Sequence, residues 1–358
     1  MLLNTIYFIF FLLGGVVVSF TINILLLRFS KSLGIRNKND VTVRWSNESK
    51  PSLGGVSYFI VFLFSTMAYA IIFSSENIFM NEQYVGLFLA AVLAFAMGLA
   101  DDAYNTKPLF KLAIQILCGL ILVWTNSVIL ASTNYYVNAT ITVLWVVLIM
   151  NSLNMLDNMD GITATVVLFI LISCLISNLF FQTNHTNIWA ISLVTMIGAS
   201  IGFLILNIPP SKLFMGDAGS QFIGLFVAFF AVNDLWNSAI GVGINNWLSI
   251  FVVLVAFTPA AADTLTVVIN RLRRGQSPMV GGKDHTTHHL VYAGYNEIGV
   301  WYVFLILSIV SASLTMLMLY LLKEKTGFYI AFFGCYTLAV FLFLYRNTIK
   351  YKAKSPQS

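Results

Sequence analysis

Charge is what this sequence has least of. Asp, Glu, Lys and Arg make up 9% of its 358 residues, against about 25% in an ordinary soluble domain. So few charges cannot solvate a 39.8 kDa globule that is 59% hydrophobic with a mean hydropathy of +0.86. Soluble enzymes, secreted scaffolds and disordered tails are excluded, and a protein integral to a membrane is left. Cysteine is scarce as well. Cys118, Cys174 and Cys335 sit inside apolar runs and read as small hydrophobes, not as a disulfide framework or a metal cluster. Alternation of apolar and polar residues is missing: Phe59 to Tyr69 and Ile162 to Ile176 are apolar on every face, which excludes a β-barrel. A Walker lysine motif, an internal repeat, a coiled coil and low-complexity sequence are all absent, so an ATP-driven pump is not indicated.

What is present is long apolar runs. About 20 such residues cross the hydrocarbon core as a helix, and eleven runs qualify, near 3–27, 54–73, 84–100, 110–130, 135–150, 161–181, 187–206, 220–240, 246–268, 299–322 and 328–345. Gly224 falls early in the eighth and Pro259 interrupts the ninth. The expected architecture is an all-α integral membrane protein of about eleven transmembrane helices, forming one polytopic domain over 1–358. The first run lacks a basic leader segment and is too long for a signal-peptide core, so it reads as a span. With alternating loops, all of the 19 Lys and Arg except Lys323 and Lys325 fall on one side. By the positive-inside rule that side is cytoplasmic, with the N-terminus outside and the C-terminus inside. The net charge of +5 thus reflects topology, not nucleic-acid binding. The sequons at Asn138 and Asn184 fall outside and carry no argument.

An acid at the end of a span is costly near lipid and asks for a reason. Asp101, Asp102, Asp157, Asp160, Asp217, Asp263 and Asp284 all border cytoplasmic loops, whereas Glu76, Glu82, Asp234 and Glu324 are scattered opposite. A lone acid there is often a solvated helix cap. These come in company. Asp101 and Asp102 are adjacent, repel one another unless a cation or proton intervenes, and are followed by Lys107 and Lys111. Asn151, Asn154 and Asp157 recur every three residues and share a helix face, with Asp160 and Gly161 next; interhelical hydrogen bonding by Asn is the bland reading. Phe214 to Ser220 contains Gly216, Asp217 and Gly219 and opens the eighth span, the kind of turn that presents amides and a carboxylate to phosphate and its metal. Gly281 to Leu290 gathers His285, His288 and His289 at one helical face. Zinc is one reading of these histidines. The oxygen-rich remainder instead suits Mg²⁺ or Mn²⁺, leaving the imidazoles for phosphate or a base. His185, alone in an outer loop, reads as solvated. Carboxylates, a metal and cations around glycine turns, next to lipid headgroups, are the parts of phosphoryl transfer.

These motifs resemble the polyprenyl-phosphate N-acetylhexosamine-1-phosphate transferases, of glycosyltransferase family 4 type. The resemblance covers five cytoplasmic loops in order: Lys50 to Gly55, Asp101-Asp102, Asn151 to Gly161, Phe214 to Ser220, and Asp284 to Leu290 after Arg271 to Pro278. It implies a multi-span enzyme of the bacterial inner membrane. Such an enzyme moves N-acetylhexosamine 1-phosphate from a UDP-sugar to undecaprenyl phosphate with Mg²⁺ or Mn²⁺, releasing UMP and starting a cell-envelope glycan. It also implies a homodimer. Carried over, Asp217 is a metal ligand with Asn154 its partner. Asp101 and Asp102 receive the lipid phosphate, Asp101 as general base. His285, His288 and His289, with Arg274, Lys107 and Lys111, engage the donor diphosphate, and Asn151, Asp157, Asp160 and Gly216 shape the pocket.

Three positions depart from the family pattern. Asn158 stands where Gly is usual, which left-handed backbone would tolerate; Ser52 replaces a frequent Arg; and Ala103-Tyr104-Asn105 follows Asp102 without a charge. The Gly-Asp-Ala-Gly-Ser turn and the His-x-x-His-His cluster resemble the bacterial branch that makes O-antigen, a lipopolysaccharide component, enterobacterial common antigen or teichoic-acid linkers more than the muramoyl-pentapeptide branch, so UDP-GlcNAc is the expected donor. The alternatives are a phospho-N-acetylmuramoyl-pentapeptide transferase and, from another class, an ion-coupled transporter. A transporter predicts ionisable residues near span midpoints and matched broken helices.

Overall fold

A computed structural model describes residues 2–29, 52–74, 76–181, 187–238, 248–279, 281–324 and 330–352. Arg36, Lys38, Arg44 and Lys50 of the first loop, with Asn184 and His185, lie outside the described residues. The described chain forms thirteen α-helices and no strand: α1 (Leu2–Phe29), α2 (Val56–Ile72), α3 (Glu82–Tyr104), α4 (Pro108–Trp124), α5 (Tyr135–Leu156), α6 (Ile162–Phe181), α7 (Ile188–Asn207), α8 (Gly216–Ala231), α9 (Ser249–Ala256), α10 (Thr258–Arg273), α11 (Thr286–Tyr292), α12 (Glu297–Lys323) and α13 (Ile330–Lys350). The protein is an all-α, multi-pass membrane protein. Eight described helices are long and apolar enough to cross by themselves. The remaining three apolar runs also coincide with helices, but α2 and α4 have 17 residues each, and the ninth run is a pair, α9 and α10, bent by 80° at Phe257. Pro259 accounts for the break, since proline removes a backbone donor and is tolerated only in the first turn of a new helix. Gly224 causes no break. It lies in unbroken α8, where an added Cβ would come within 2.9 Å of Met150 Cα.

Asparagine begins several of these helices. Asn81, Asn134, Asn187 and Asn296 each accept a hydrogen bond from a first-turn amide of α3, α5, α7 and α12, which satisfies donors that water would otherwise have to reach. At the centre stands α8, almost wholly buried between α2, α3, α5 and α6. Phe222, Phe226, Phe229 and Phe230 form its aromatic spine. Small residues let neighbouring helices approach in the lipid phase, where apolar burial drives no association. On the α3–α8 crossing a Cβ at Gly98 would lie 2.5 Å from Ala218 Cα. These crossings bring the C-terminal ends of α3 and α5 and the N-terminal ends of α4 and α8 to one end of the bundle.

Candidate active site

The turn from α3 to α4 is made by Asn105, whose left-handed backbone (φ 50) closes α3 through its amide on the Asp101 carbonyl. Thr106 then donates from its amide and hydroxyl to Asp101 Oδ1, at 2.8 and 2.7 Å. One turn into α4, the Lys111 ammonium is ion-paired with Asp101 and lies 3.3 Å from Asp217 Oδ2. Lys111 therefore joins carboxylates from α3 and α8 that are 116 residues apart, counting from 101 to 217. Asp101 is buried, whereas the Asp217 side chain is 33% exposed.

Asp102 does different work. Its two oxygens accept the amides of Asp217 and Ala218 at 3.1 and 2.9 Å, so it caps α8 and meets the positive end of that helix dipole. The amides that the Phe214 to Ser220 turn was expected to offer to phosphate are thus occupied by a carboxylate of this chain. Gly216, at φ +74, packs beneath it: a Cβ there would meet Asp102 Oδ2 at 3.0 Å. The amides of Gly54 and Gly55 donate to the carbonyls of Phe214 and Met215 at 3.0 and 2.8 Å. This explains the two glycines of the first loop; Lys50 and Pro51 of the same motif lie outside the described residues.

From α5, Asn154 donates to Asp217 Oδ1 and to Ser220 Oγ, both at 2.8 Å. It turns its nitrogen toward Asp217 and orients that carboxylate. Asn151 faces the same way, donating to the Val147 carbonyl and to Gln115 Oε1, and Gln115 continues to Gln221 Oε1 at 3.0 Å. The reading of the sequence missed Gln115 and Gln221, for which isolated polar residues inside apolar helices were the available signal, and gave Ser220 no role beyond its place in the turn. Asp160 is buried and accepts the Ser211 amide at 3.0 Å, fixing the loop before α8, while Asp157 ends α5. Asn158 does not use left-handed backbone. The positive φ of this stretch is carried by Gly161, whose amide donates to Asn207, and Asn158 instead accepts the Thr287 hydroxyl. Its side chain, not its backbone tolerance, explains the departure from glycine.

The histidine cluster lies on the same end and is enclosed. His285, His288 and His289 are 5%, 2% and 8% exposed. His285 Nδ1 meets Asp263 Oδ2 at 2.9 Å, and Asp263 Oδ1 accepts the Thr286 amide and hydroxyl at 2.8 and 2.6 Å. Asp263, assigned no role from sequence, is thus a fully buried brace for the first turn of α11. His289 Nδ1 is 2.5 Å from the Tyr351 carbonyl. Burial, with the neighbouring His285 charge, pushes the His288 pKa down to about 3, and burial also lowers His289. Both are neutral at pH 7. Before α11, a cleft of about 420 Å³ is lined by Arg271, Arg274, Gln276, Lys283 and Asp284, among others. Arg271 donates to both Asp284 oxygens, at 3.1 and 2.7 Å, and Arg274 is paired with one of them. Burial opposes ionisation of Asp284, but these guanidiniums outweigh it and hold the carboxyl down at about 2. Lys107, at the start of α4, is exposed beside the first cluster.

The described residues contain no group of three His, Cys, Asp or Glu that could hold a metal. The donor set fits a different kind of site. Two carboxylates, Asp101 and Asp217, converge on one cation, and Mg²⁺ is commonly held by one or two carboxylates with phosphate and water completing its shell.

Oxygen acids and an ammonium gathered at one end of a lipid-embedded bundle define a membrane protein whose polar centre suits phosphate chemistry. Residues 84–234 match the family model described as glycosyl transferase family 4. Curated relatives agree. A "probable undecaprenyl-phosphate N-acetylglucosaminyl 1-phosphate transferase" of Bacillus subtilis is 25% identical, covering 82% of this chain and 78% of its own. An "undecaprenyl-phosphate alpha-N-acetylglucosaminyl 1-phosphate transferase" of Thermotoga maritima is 26% identical, covering 92% and 94%. A "phospho-N-acetylmuramoyl-pentapeptide-transferase" of Streptococcus agalactiae is 28% identical over smaller shares, 56% and 64%.

Proposed function

We propose that the protein transfers N-acetylglucosamine 1-phosphate from its UDP-sugar to a long-chain polyprenyl phosphate in the bacterial inner membrane, giving a lipid-linked diphosphate sugar and UMP. The observation that carries this reading is Lys111 held between Asp101 and Asp217 at the bundle end. That arrangement joins a phosphate-binding cation to acids from two helices where a lipid headgroup and a soluble nucleotide can meet. Relatives named for the same transfer, matching most of both chains, support it.

In the reaction an oxygen of the lipid phosphate attacks the β-phosphorus of the donor. A P–O bond forms there, and the bond from that phosphorus to the bridging oxygen breaks, the oxygen leaving with UMP. Lys111 offsets the charge of the incoming phosphates, and Asp101, fixed by Thr106, takes the proton of a monoanionic lipid phosphate. Asn154, itself held by Ser220 Oγ, keeps the Asp217 carboxylate in place for Mg²⁺, which when bound would polarise the phosphoryl oxygens and offset the developing charge. Asp102 sets the position of α8 and hence of Asp217. The guanidiniums of Arg271 and Arg274, already arranged around a carboxylate, offer the donor diphosphate a second anion site.

The test is purified full-length protein incubated with Mg²⁺, undecaprenyl phosphate and UDP-GlcNAc, following UMP and lipid-linked product. Product from the wild type and ~10³-fold slower turnover from Asp217→Asn is the expected result. Turnover with UDP-muramoyl-pentapeptide in place of UDP-GlcNAc would reassign the donor, and silence with both would end the transferase reading.

A further inference from the structure

At the end of the bundle opposite the active site, the α8 span does not finish as an α-helix. Its last turn, Val232–Trp236, is π-helical, with the Asn237 amide bonded five residues back to the Val232 carbonyl at 3.1 Å. Such turns are uncommon and occur often at functional positions. This one carries Asp234, which is 6% exposed. Asp234 Oδ1 accepts Asn178 Nδ2 at 3.0 Å, and its carbonyl accepts the Ser177 hydroxyl, both from α6. Asp234 Oδ2 and Asn178 Oδ1 are buried and have no hydrogen-bond partner among the described residues. On α9, packed against the same turn, Ser249 Oγ is likewise buried and unpartnered.

The charges around this carboxylate are few. Of the helices packed on the π-turn, α6 and α9 contain no ionisable acid or base except Cys174, α8 contributes only Asp217, and α5, which meets Trp236 through Trp145, adds only Tyr135 and Tyr136; the Lys323 ammonium reaches α6 at the Phe180 carbonyl and is spent there. Asp217 is 17 residues away, ~26 Å at the rise of an α-helix. A carboxylate buried in a membrane protein without a cation is costly. Of the unmet groups on and beside this turn, three are oxygens, a carboxylate, an amide and a hydroxyl, and the fourth is the Trp236 indole nitrogen, which a cation would not use. A proton would satisfy one of them. A small hard cation satisfies several, and a single negative charge with neutral oxygens matches a monovalent ion.

We propose that Asp234 and Asn178, on the π-turn and α6, form a binding site for an alkali cation, sodium being the probe, distant from the transferase centre. Ser249 is the candidate third ligand. The site ties α6, α8 and α9 together where the spans leave the membrane.

The experiment is thermal unfolding of the full chain in detergent while sodium chloride replaces choline chloride at constant ionic strength, with potassium chloride as a second arm. Ligand linkage predicts a saturable rise in melting temperature, roughly 5 °C at a hundredfold excess over the dissociation constant. Asp234→Asn and Asn178→Ala are expected to melt equally in sodium and choline while retaining transferase turnover. A wild type that melts identically in sodium, potassium and choline would overturn the proposal, as would a melting temperature that follows pH alone, which would assign Asp234 a proton. A sodium effect undiminished in both variants would place the ion elsewhere.

Discussion

Two polar clusters share one end of this bundle and follow opposite plans. Around Asp217, charges of both signs are unequally matched: one ammonium serves two carboxylates, and one of those is a third exposed. Around α11, three imidazoles are enclosed and held by Asp263, by each other and by the Tyr351 carbonyl. The first cluster has charge left for a ligand, whereas the Nδ1 contacts of the second hold a seven-residue helix in place. Abundance of reactive residue types therefore does not by itself mark a site open to a ligand. An incomplete charge balance exposed to solvent marks one more directly.

Mutation can break or sharpen this contrast. The largest effect is expected from Asp217→Asn, which keeps the shape and removes the charge. Turnover should fall ~10³-fold, the scale of losing one electrostatic contact to the transition state, while the melting temperature barely moves. Asp263→Ala attacks the other plan. It leaves His285 and the Thr286 amide without their buried acceptor, and denaturation should show a loss of about 3 kcal/mol, with activity falling because the fold does. If Asp263→Ala kept its stability and lost only turnover, α11 would belong to the chemistry.

Acidification gives an intermediate effect. His288 titrates near 3 in the folded protein and near 6.5 when unfolded, so between those values the unfolded chain binds the extra proton. Stability should decline as pH falls from 6.5 toward 3, and His288→Gln should flatten that part of the melting profile. The smallest effect is expected at Arg274, whose side chain is 44% exposed beside Asp284. Arg274→Gln should cost under ~1 kcal/mol of stability and be detected instead as a raised KM for the donor.

Much of this was legible in the sequence. Each apolar run coincides with described helix, the ninth as a bent pair, although only eight helices are long enough to span alone, and Asp101, Lys111, Asn154 and Asp217 did converge. Spacing along one helix, together with loop alternation, was enough to place them on one face. Partnership across helices was not legible. That Asp102 would cap α8, or Asp263 brace α11, depends on which chain ends meet after packing, and a carboxylate looks the same in sequence whether it faces an amide or a substrate. The histidines were given to the donor diphosphate by the resemblance; their spacing placed them on one face, and it could not tell that α11 is buried. Asp234 was grouped with scattered outer acids, since a π-turn has no sequence signature comparable to a glycine turn.

The contact of Gly98 with Ala218 has a bearing on how such an enzyme could change over evolutionary time. Because main chain rests on main chain there, the spacing of the two acidic helices is insulated from side-chain drift. Under the proposed function, variation that retunes the choice of sugar is then channelled toward the cleft at Arg271 to Asp284, whose walls include exposed, replaceable side chains. A library built to alter the donor belongs in that cleft, leaving the helix crossing untouched.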